Sequence, residues 1–221
     1  MNISHHPSDP LLADFAANTL DEANAFVVAA HLAMCPQCRQ AVSQFECLGG
    51  ALLDELPGSG IDPVRRAHAL ASIDTEPAMV PPRVASRVTP LRAQPRSSST
   101  VDDVLALYGT GPWRWTGPGV YWRPVDLPVE NGTRAFMLRA APGTALLNHR
   151  HSGTELTLVL KGAFSHELGH FAAGDVEEAD SEIAHSPVVD KESECICLVA
   201  MQGDIRLQGW LGRLMQPFVR F

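Results

Sequence analysis

One short stretch brings an imidazole and two thiols together: His31-Leu32-Ala33-Met34-Cys35-Pro36-Gln37-Cys38. The spacing His-x-x-x-Cys-x-x-Cys places three nitrogen and sulfur donors within two helical turns. That is three quarters of a tetrahedral zinc site, whose structural form closes with four such ligands. The fourth donor has to come from elsewhere, and His5 and His6 near the amino terminus both qualify. A thioredoxin-like redox pair follows a strand, and nothing strand-like precedes Cys35.

The sequence around this stretch reads as a small helical bundle. Asp9-Pro10 is a helix start, with an acceptor at the cap and proline in the first turn. Thr19-Leu20-Asp21-Glu22 fits a capping box that opens a helix from Leu20 to Ala33, with Ala23, Phe26, Val27 and Ala30 on one face. Pro36 fits the first turn of a third helix, which runs to about Glu55 and stops at Pro57-Gly58. Cys35 caps that helix and Cys38 sits in its first turn, where the helix amino terminus favours the thiolate. Cys47, further along, reads as a small buried hydrophobe. A fourth helix is expected from Asp62-Pro63 through Ile73. For a bundle this small a zinc staple matters, because its own core supplies only a few kcal/mol.

Charge separates the chain into three parts. Residues 1–76 carry three arginines against ten acids, a net −7. Residues 77–100 carry four arginines, no acid, five prolines and the run Ser97-Ser98-Ser99-Thr100, the composition of an extended tether. Residues 101–221 carry ten basic and fifteen acidic side chains. An acidic first part is a poor nucleic-acid binder, since phosphate contacts need clustered Lys and Arg. It suits a basic protein partner, whose approach its field would speed. No apolar run approaches a membrane span, and no basic region followed by an apolar one marks a secretory signal. Four of the five cysteines lie in Cys-x-x-Cys or Cys-x-Cys spacing, which fits a reducing compartment, so the expected location is the cytoplasm.

From Asp103 onward the pattern turns to short strands between Gly and Pro turns: Gly119–Trp122, Ala135–Leu138, Leu156–Leu160 and Cys195–Val199. That pattern predicts an antiparallel sandwich or barrel, with the tryptophans Trp113, Trp115, Trp122 and Trp210 as bulky core candidates. His149 and His151 alternate, so on a strand they face one side, and Glu155 opens the next strand. With Gly143 before and Gly162 after, this stretch resembles the first cupin motif. Gly174-Asp175 and His185 before Ser186-Pro187 form a looser second one. His185 on a facing strand completes a three-His, one-Glu site that accepts zinc, manganese, iron, nickel or copper. His166 and His170, either side of Gly169, read as surface residues. Cys195 and Cys197 share a strand face, either as inert core thiols or as a redox-sensitive pair.

A short amino-terminal His followed by His-x-x-x-Cys-x-x-Cys on a helical bundle, then a cupin barrel, resembles the ChrR family of zinc-binding anti-sigma factors. The resemblance covers nearly the whole chain. It includes His5-His6, Glu155–Leu160 with Gly162-Ala163-Phe164, Cys195-Ile196-Cys197-Leu198 and Gln216-Pro217-Phe218. It implies an α+β chain of three parts: a zinc-bound helical anti-sigma domain over 1–76, a linker over 77–100, and a cupin β-barrel of jelly-roll type over 101–221. It also implies zinc on His6, His31, Cys35 and Cys38, which settles the choice between His5 and His6. A second ion, zinc or another divalent transition metal, falls to His149, His151, Glu155 and His185. The implied partner is an extracytoplasmic-function (group IV) sigma factor, hidden from RNA polymerase until the cupin part senses singlet oxygen or related peroxides. The implied role is regulatory, not enzymatic, with no direct nucleic-acid or membrane contact. The alternative is a metal-dependent cupin enzyme, a dioxygenase or isomerase, although nothing in the sequence marks a substrate pocket or a dedicated base, and fold alone does not give function.

Overall fold

A computed structural model describes residues 2–73, 100–129, 131–182 and 184–208. Nearly all of the expected linker, together with Trp210 and Gln216-Pro217-Phe218, lies outside the described residues. The helices are α1 (Asp9–Ala16), α2 (Glu22–Met34), α3 (Pro36–Asp54), α4 (Pro63–Ala71) and α5 (Val101–Leu105). Four elements stand where the periodicity puts them, but two caps differ. Ser8, not Asp9, caps α1, and its N–H and hydroxyl donate to the Glu178 carboxylate at 2.5 and 3.1 Å. Thr19 instead donates its hydroxyl to the Asp14 carbonyl at 3.0 Å. Asp21 caps α2 by accepting from the Asn24 N–H at 3.0 Å. Cys35 does cap α3, its Sγ accepting from the Cys38 N–H at 3.5 Å.

Helix α2 is apolar on more than the one face the sequence suggested. Ten of its thirteen residues are buried, among them Ala25, Val28, Ala29 and Leu32 as well as Phe26, Val27 and Ala30. Such all-round burial is what a helix shows when it lies inside a core rather than on a surface. Its second neighbour is the β-structure that follows.

The strands are β1 (Arg114–Gly117), β2 (Val120–Pro124), β3 (Thr133–Ala140), β4 (His149–His151), β5 (Glu155–Lys161) and β6 (Ala163–His166). After them come β7 (Gly169–Ala172), β8 (Val176–Ala179), β9 (Ala184–His185), β10 (Val188–Val189), β11 (Cys195–Gln202) and β12 (Ile205–Leu207). They pair antiparallel into a six-stranded sheet of order β1-β2-β3-β11-β5-β8 and two three-stranded sheets, β10-β6-β7 and β12-β4-β9. This is a cupin-like jelly roll. Strand β11 lies at its centre, in register with β3 from Cys195↔Ala140 to Gln202↔Thr133. The β5–β6 turn needs Gly162, which has φ +75° and where a Cβ would run into the Glu194 carbonyl.

Side-chain alternation sorts the central strands into two cores. Leu156, Leu158, Leu198 and Ala200 point outward and join Leu12, Phe15, Val27, Val28 and Leu32 of the helices in one apolar cluster. Val159, Phe164, Cys197, Val199 and Met201 point inward and form the barrel interior. Because both faces are covered, these strands read in sequence as continuous apolar runs. The helices and the jelly roll thus share a core. Helix α4 takes no part in it and has no buried residue. Cys47 is exposed, not buried. Of the tryptophans expected in the core, Trp115 is exposed, and Trp113 carries the Arg123 and Arg139 guanidiniums at 4.7 and 4.8 Å. Among the described residues no helix is long and apolar enough to cross a membrane.

The shared core predicts that Leu198→Ala, on β11 beneath α2, will destabilise the fold by about 2–5 kcal/mol. Helical circular dichroism and tryptophan fluorescence should then report one coincident unfolding transition. Separate transitions for helices and strands would contradict the shared core.

Candidate metal centres

The first cluster forms where three helical elements meet. His6 lies on the extended strap before α1, His31 in the last turn of α2, Cys35 at the α2–α3 junction and Cys38 in the first turn of α3. One donor atom from each lies within 4.8 Å of all the others. His6 Nδ1 is 3.5 Å from Cys35 Sγ and 3.3 Å from Cys38 Sγ. His5 points elsewhere: its ring packs on Phe171 with centroids 4.4 Å apart, and Nδ1 is 3.6 Å from the Asp175 carboxylate.

The donor chemistry fits a cation. The Gly174 carbonyl can only accept, so His31 Nδ1, 2.9 Å away, carries the proton and donates to it. His31 Nε2 is then a bare lone pair, buried and without a hydrogen-bond partner. Burial lowers the His31 pKa to about 4, so the ring is neutral at pH 7. Burial, and the neighbouring Cys35, push the Cys38 thiol up to about 12. The preference for thiolate that a helix amino terminus brings is opposed here by burial and by the neighbouring Cys35. A metal ion would have to displace that proton. Two sulfurs and two imidazole nitrogens are the donors that tetrahedral zinc takes.

The second cluster lies inside the jelly roll. On β4 the burial pattern is buried, exposed, buried, so His149 and His151 both point inward while Arg150 points out. Strand β9 lies beside β4 rather than facing it, with His149 directly across from His185. His185 Nε2 is 3.0 Å from His149 Nε2 and 3.3 Å from His151 Nε2. His149 Nδ1 donates to the Leu147 carbonyl at 2.7 Å, and His185 Nδ1 donates to the Glu177 carboxylate at 3.0 Å. With both Nδ1 protons so engaged, two Nε2 lone pairs meet at 3.0 Å and repel unless a cation stands between them. A proton on His185, whose pKa is raised because Glu177 and Glu155 outweigh burial, is the least that can fill that role; a metal ion is the other candidate. Burial holds His149 and His151 at about 4, leaving both neutral at pH 7 and fit to ligate.

Glu155 Oε2 is 3.3 Å from His151 Nδ1, the ring nitrogen turned away from His185, while its Oε1 accepts from the Thr157 hydroxyl at 2.9 Å. The three mutually close donors of this cluster are therefore the histidines. Cys195 and Cys197 share the inner face of β11 with their sulfurs 3.7 Å apart. The hydrogen bond that the Cys197 S–H makes to Cys195, with burial, raises the Cys197 pKa well above normal, so Cys197 is a thiol and a weak nucleophile. Both line a cavity of about 410 Å³ that reaches His149, Glu155, Glu177 and His185 and is walled mostly by apolar side chains such as Leu138, Leu146 and Val199.

Two polar residues here escaped the sequence reading. His166, expected at the surface, has a fully buried side chain, and its Nε2 is 2.8 Å from Glu177 Oε1. Burial alone would raise the Glu177 pKa, but hydrogen bonds from His166 and His185 win and hold it at about 2. In sequence Glu177 is one of two adjacent acids and looks like a solvated charge. Only the strand phase, with Val176 and Glu178 on the opposite face, would have turned it inward. His170 is exposed as expected and pairs with Asp190 at 2.9 Å.

Comparison with known proteins agrees with this architecture. The model of the ChrR Cupin-like domain family matches residues 101–203, and that of a zinc-finger family matches residues 9–39. The chain is 38% identical over 222 residues to the anti-sigma-E factor ChrR of Cereibacter sphaeroides, covering 100% of each. It is similar to a chain of the crystal structure of Rhodobacter sphaeroides SigE in complex with the anti-sigma ChrR. There the identity is 35% and the TM-score 0.69, covering 91% of this chain and 100% of that one. A cupin protein from Ralstonia eutropha JMP134 matches at 18% identity and TM-score 0.40, over 45% of this chain and 68% of its own.

Zinc added to the metal-free protein should release protons, and its apparent affinity for the first cluster should fall as pH falls, because the Cys38 proton must leave. Potentiometric titration with a competing chelator measures both, and a pH-independent affinity would exclude thiol ligation. Cys38→Ser should lower zinc content by one equivalent by elemental analysis.

Proposed function

This chain belongs to the ChrR family of anti-sigma factors, and from that membership we propose that it binds and silences an extracytoplasmic-function (group IV) sigma factor and releases it under oxidative stress. The observation that carries this reading is a set of large apolar side chains left exposed among the described residues. Leu48, Leu52, Leu53 and Leu56 at the end of α3, with Val64 and Leu70 on α4, are each more than half exposed. Large exposed apolar patches on a soluble chain mark contact surfaces for other proteins. The occupant is a sigma factor because a relative of this chain was crystallised with SigE. The net −7 of residues 1–76 adds charge complementarity for a basic partner.

In this reading zinc on His6, His31, Cys35 and Cys38 ties the strap to the junction of α2 and α3 and so sets the angle at which α3 projects. The jelly roll is the sensor. His149, His151 and His185, with Glu155 as the proposed fourth ligand, hold zinc or another divalent transition metal, which supplies Lewis acidity and, for a redox-active ion, electron exchange. Singlet oxygen or related peroxides reach the cluster through the cavity. Oxidation there, with Cys195 and Cys197 as nearby thiols, shifts the barrel between two states. The shift weakens sigma binding because the two states differ in how they hold the helices that contact sigma. The protein acts in the cytoplasm, without touching nucleic acid or membrane. The cavity of about 410 Å³ beside His149 and His185 also favours a second reading, a metal-dependent cupin enzyme. Metal-loaded protein that consumed oxygen with a diketone or thiol substrate would support it.

Leu52→Asp or Leu56→Asp in the full chain should weaken sigma binding by about 2–4 kcal/mol without changing zinc content. Surface plasmon resonance against the host's sigma factors measures this. Failure of the unaltered chain to bind any of them would end the proposal. A His149→Ala, His185→Ala chain should still silence a sigma-dependent reporter but no longer respond to a singlet-oxygen photosensitiser.

A further inference from the structure

The turn before β8 and its first two residues touch both clusters. On the outer side, the Gly174 carbonyl accepts from His31 Nδ1 at 2.9 Å. Asp175, 1% exposed, accepts from the backbone N–H of Ser4 at 2.7 Å and of His5 at 2.9 Å, immediately before His6. Val176 then donates its N–H to the His5 carbonyl at 3.1 Å. On the inner side, Glu177 accepts a hydrogen bond from His185 Nδ1 at 3.0 Å. In an extended chain the two ends of this segment lie about 10 Å apart. One end orients a candidate ligand of the first cluster and steadies the strap bearing another, while the other orients a candidate ligand of the second.

We propose that residues 174–177 are a positioning link that couples the two clusters, so that a metal ion in either one tightens the binding of the other. A metal at His185 Nε2 fixes the ring, the ring fixes Glu177, and Glu177 holds β8 in the register that presents Gly174 and Asp175 to His31 and the strap. The route works equally in reverse, and linkage requires the same factor in both directions. Partners behind metal ligands commonly set affinity by 10- to 100-fold, so a coupling of about tenfold is expected. The proposal rests on reading both clusters as metal sites.

The test uses the full chain. Zinc affinity of the first cluster is measured by chelator competition with the second cluster intact and loaded, and again with it disabled by His149→Ala, His151→Ala. The converse uses Cys35→Ser, Cys38→Ser. The expected result is about tenfold tighter binding in each direction when the other cluster is filled. Glu177→Met, similar in volume but without an acceptor, should bring both factors to near one while each cluster still binds metal. Glu177→Gln, which keeps one acceptor oxygen and serves alone if the Met variant fails to fold, should give an intermediate factor. Metal binding at both clusters with factors within twofold of one, or with factors that Glu177→Met or Glu177→Gln leaves unchanged, would overturn the proposal alone. Absence of metal binding at either cluster would overturn it together with the reading beneath it.

Discussion

The packing of α2 against the outer face of the six-stranded sheet is the constraint from which the rest follows. Leu158 and Leu198 on the strands and Val27 and Val28 on the helix are each wholly buried, and all four belong to one cluster. Neither the helices nor the sheet could bury that much apolar surface alone. The contact delivers the last turn of α2, and His31 with it, to the turn before β8. Every later feature of the first cluster depends on that delivery. The His31 proton has a carbonyl to go to, and its lone pair is left bare beside two sulfurs.

Inside the barrel the same economy of protons applies. Each of His149 and His185 spends its Nδ1 proton on an acceptor behind it, and the nitrogens in front face one another. Burial keeps His149 neutral, and Glu177 stays charged despite burial because two imidazoles point at it. The arrangement suits a cation, since the Nε2 atoms of His149, His151 and His185 converge on one another. The three histidines are themselves buried, which strengthens electrostatic effects among them.

Much of this was legible in the chain itself, for identifiable reasons. Ligand spacing is local, so His31, Cys35 and Cys38 could be read from a single stretch. The alternation of His149 and His151, and the proline after Cys35, are equally short-range signals. The choice between His5 and His6 was not local, because consecutive residues on an extended strap point opposite ways and only the strap's docking decides. His166 and Glu177 were missed because a buried charge in a strand looks like a surface charge until its strand is phased. The cap of α1 falls on Ser8, one residue before Asp9, and the box expected at Thr19 does not form because that hydroxyl turns back to Asp14 and Asp21 caps α2 instead. The largest omission was the shared core. Apolar runs in β5 and β11 indicate burial on two faces, but not what covers the second one.

The strap that carries His6 also lies along β8, the last strand of the six-stranded sheet. A terminal strand offers unpaired backbone groups that invite another chain to add itself, and natural proteins cover such edges. Here the cover is a few residues held by one ligand candidate and the bonds from Ser4, His5 and Ser8. If His6 ligates a metal ion, that one bond also helps pin the cover of a sheet edge, so the ion's hold on the helices and the shielding of β8 are joined through a single residue.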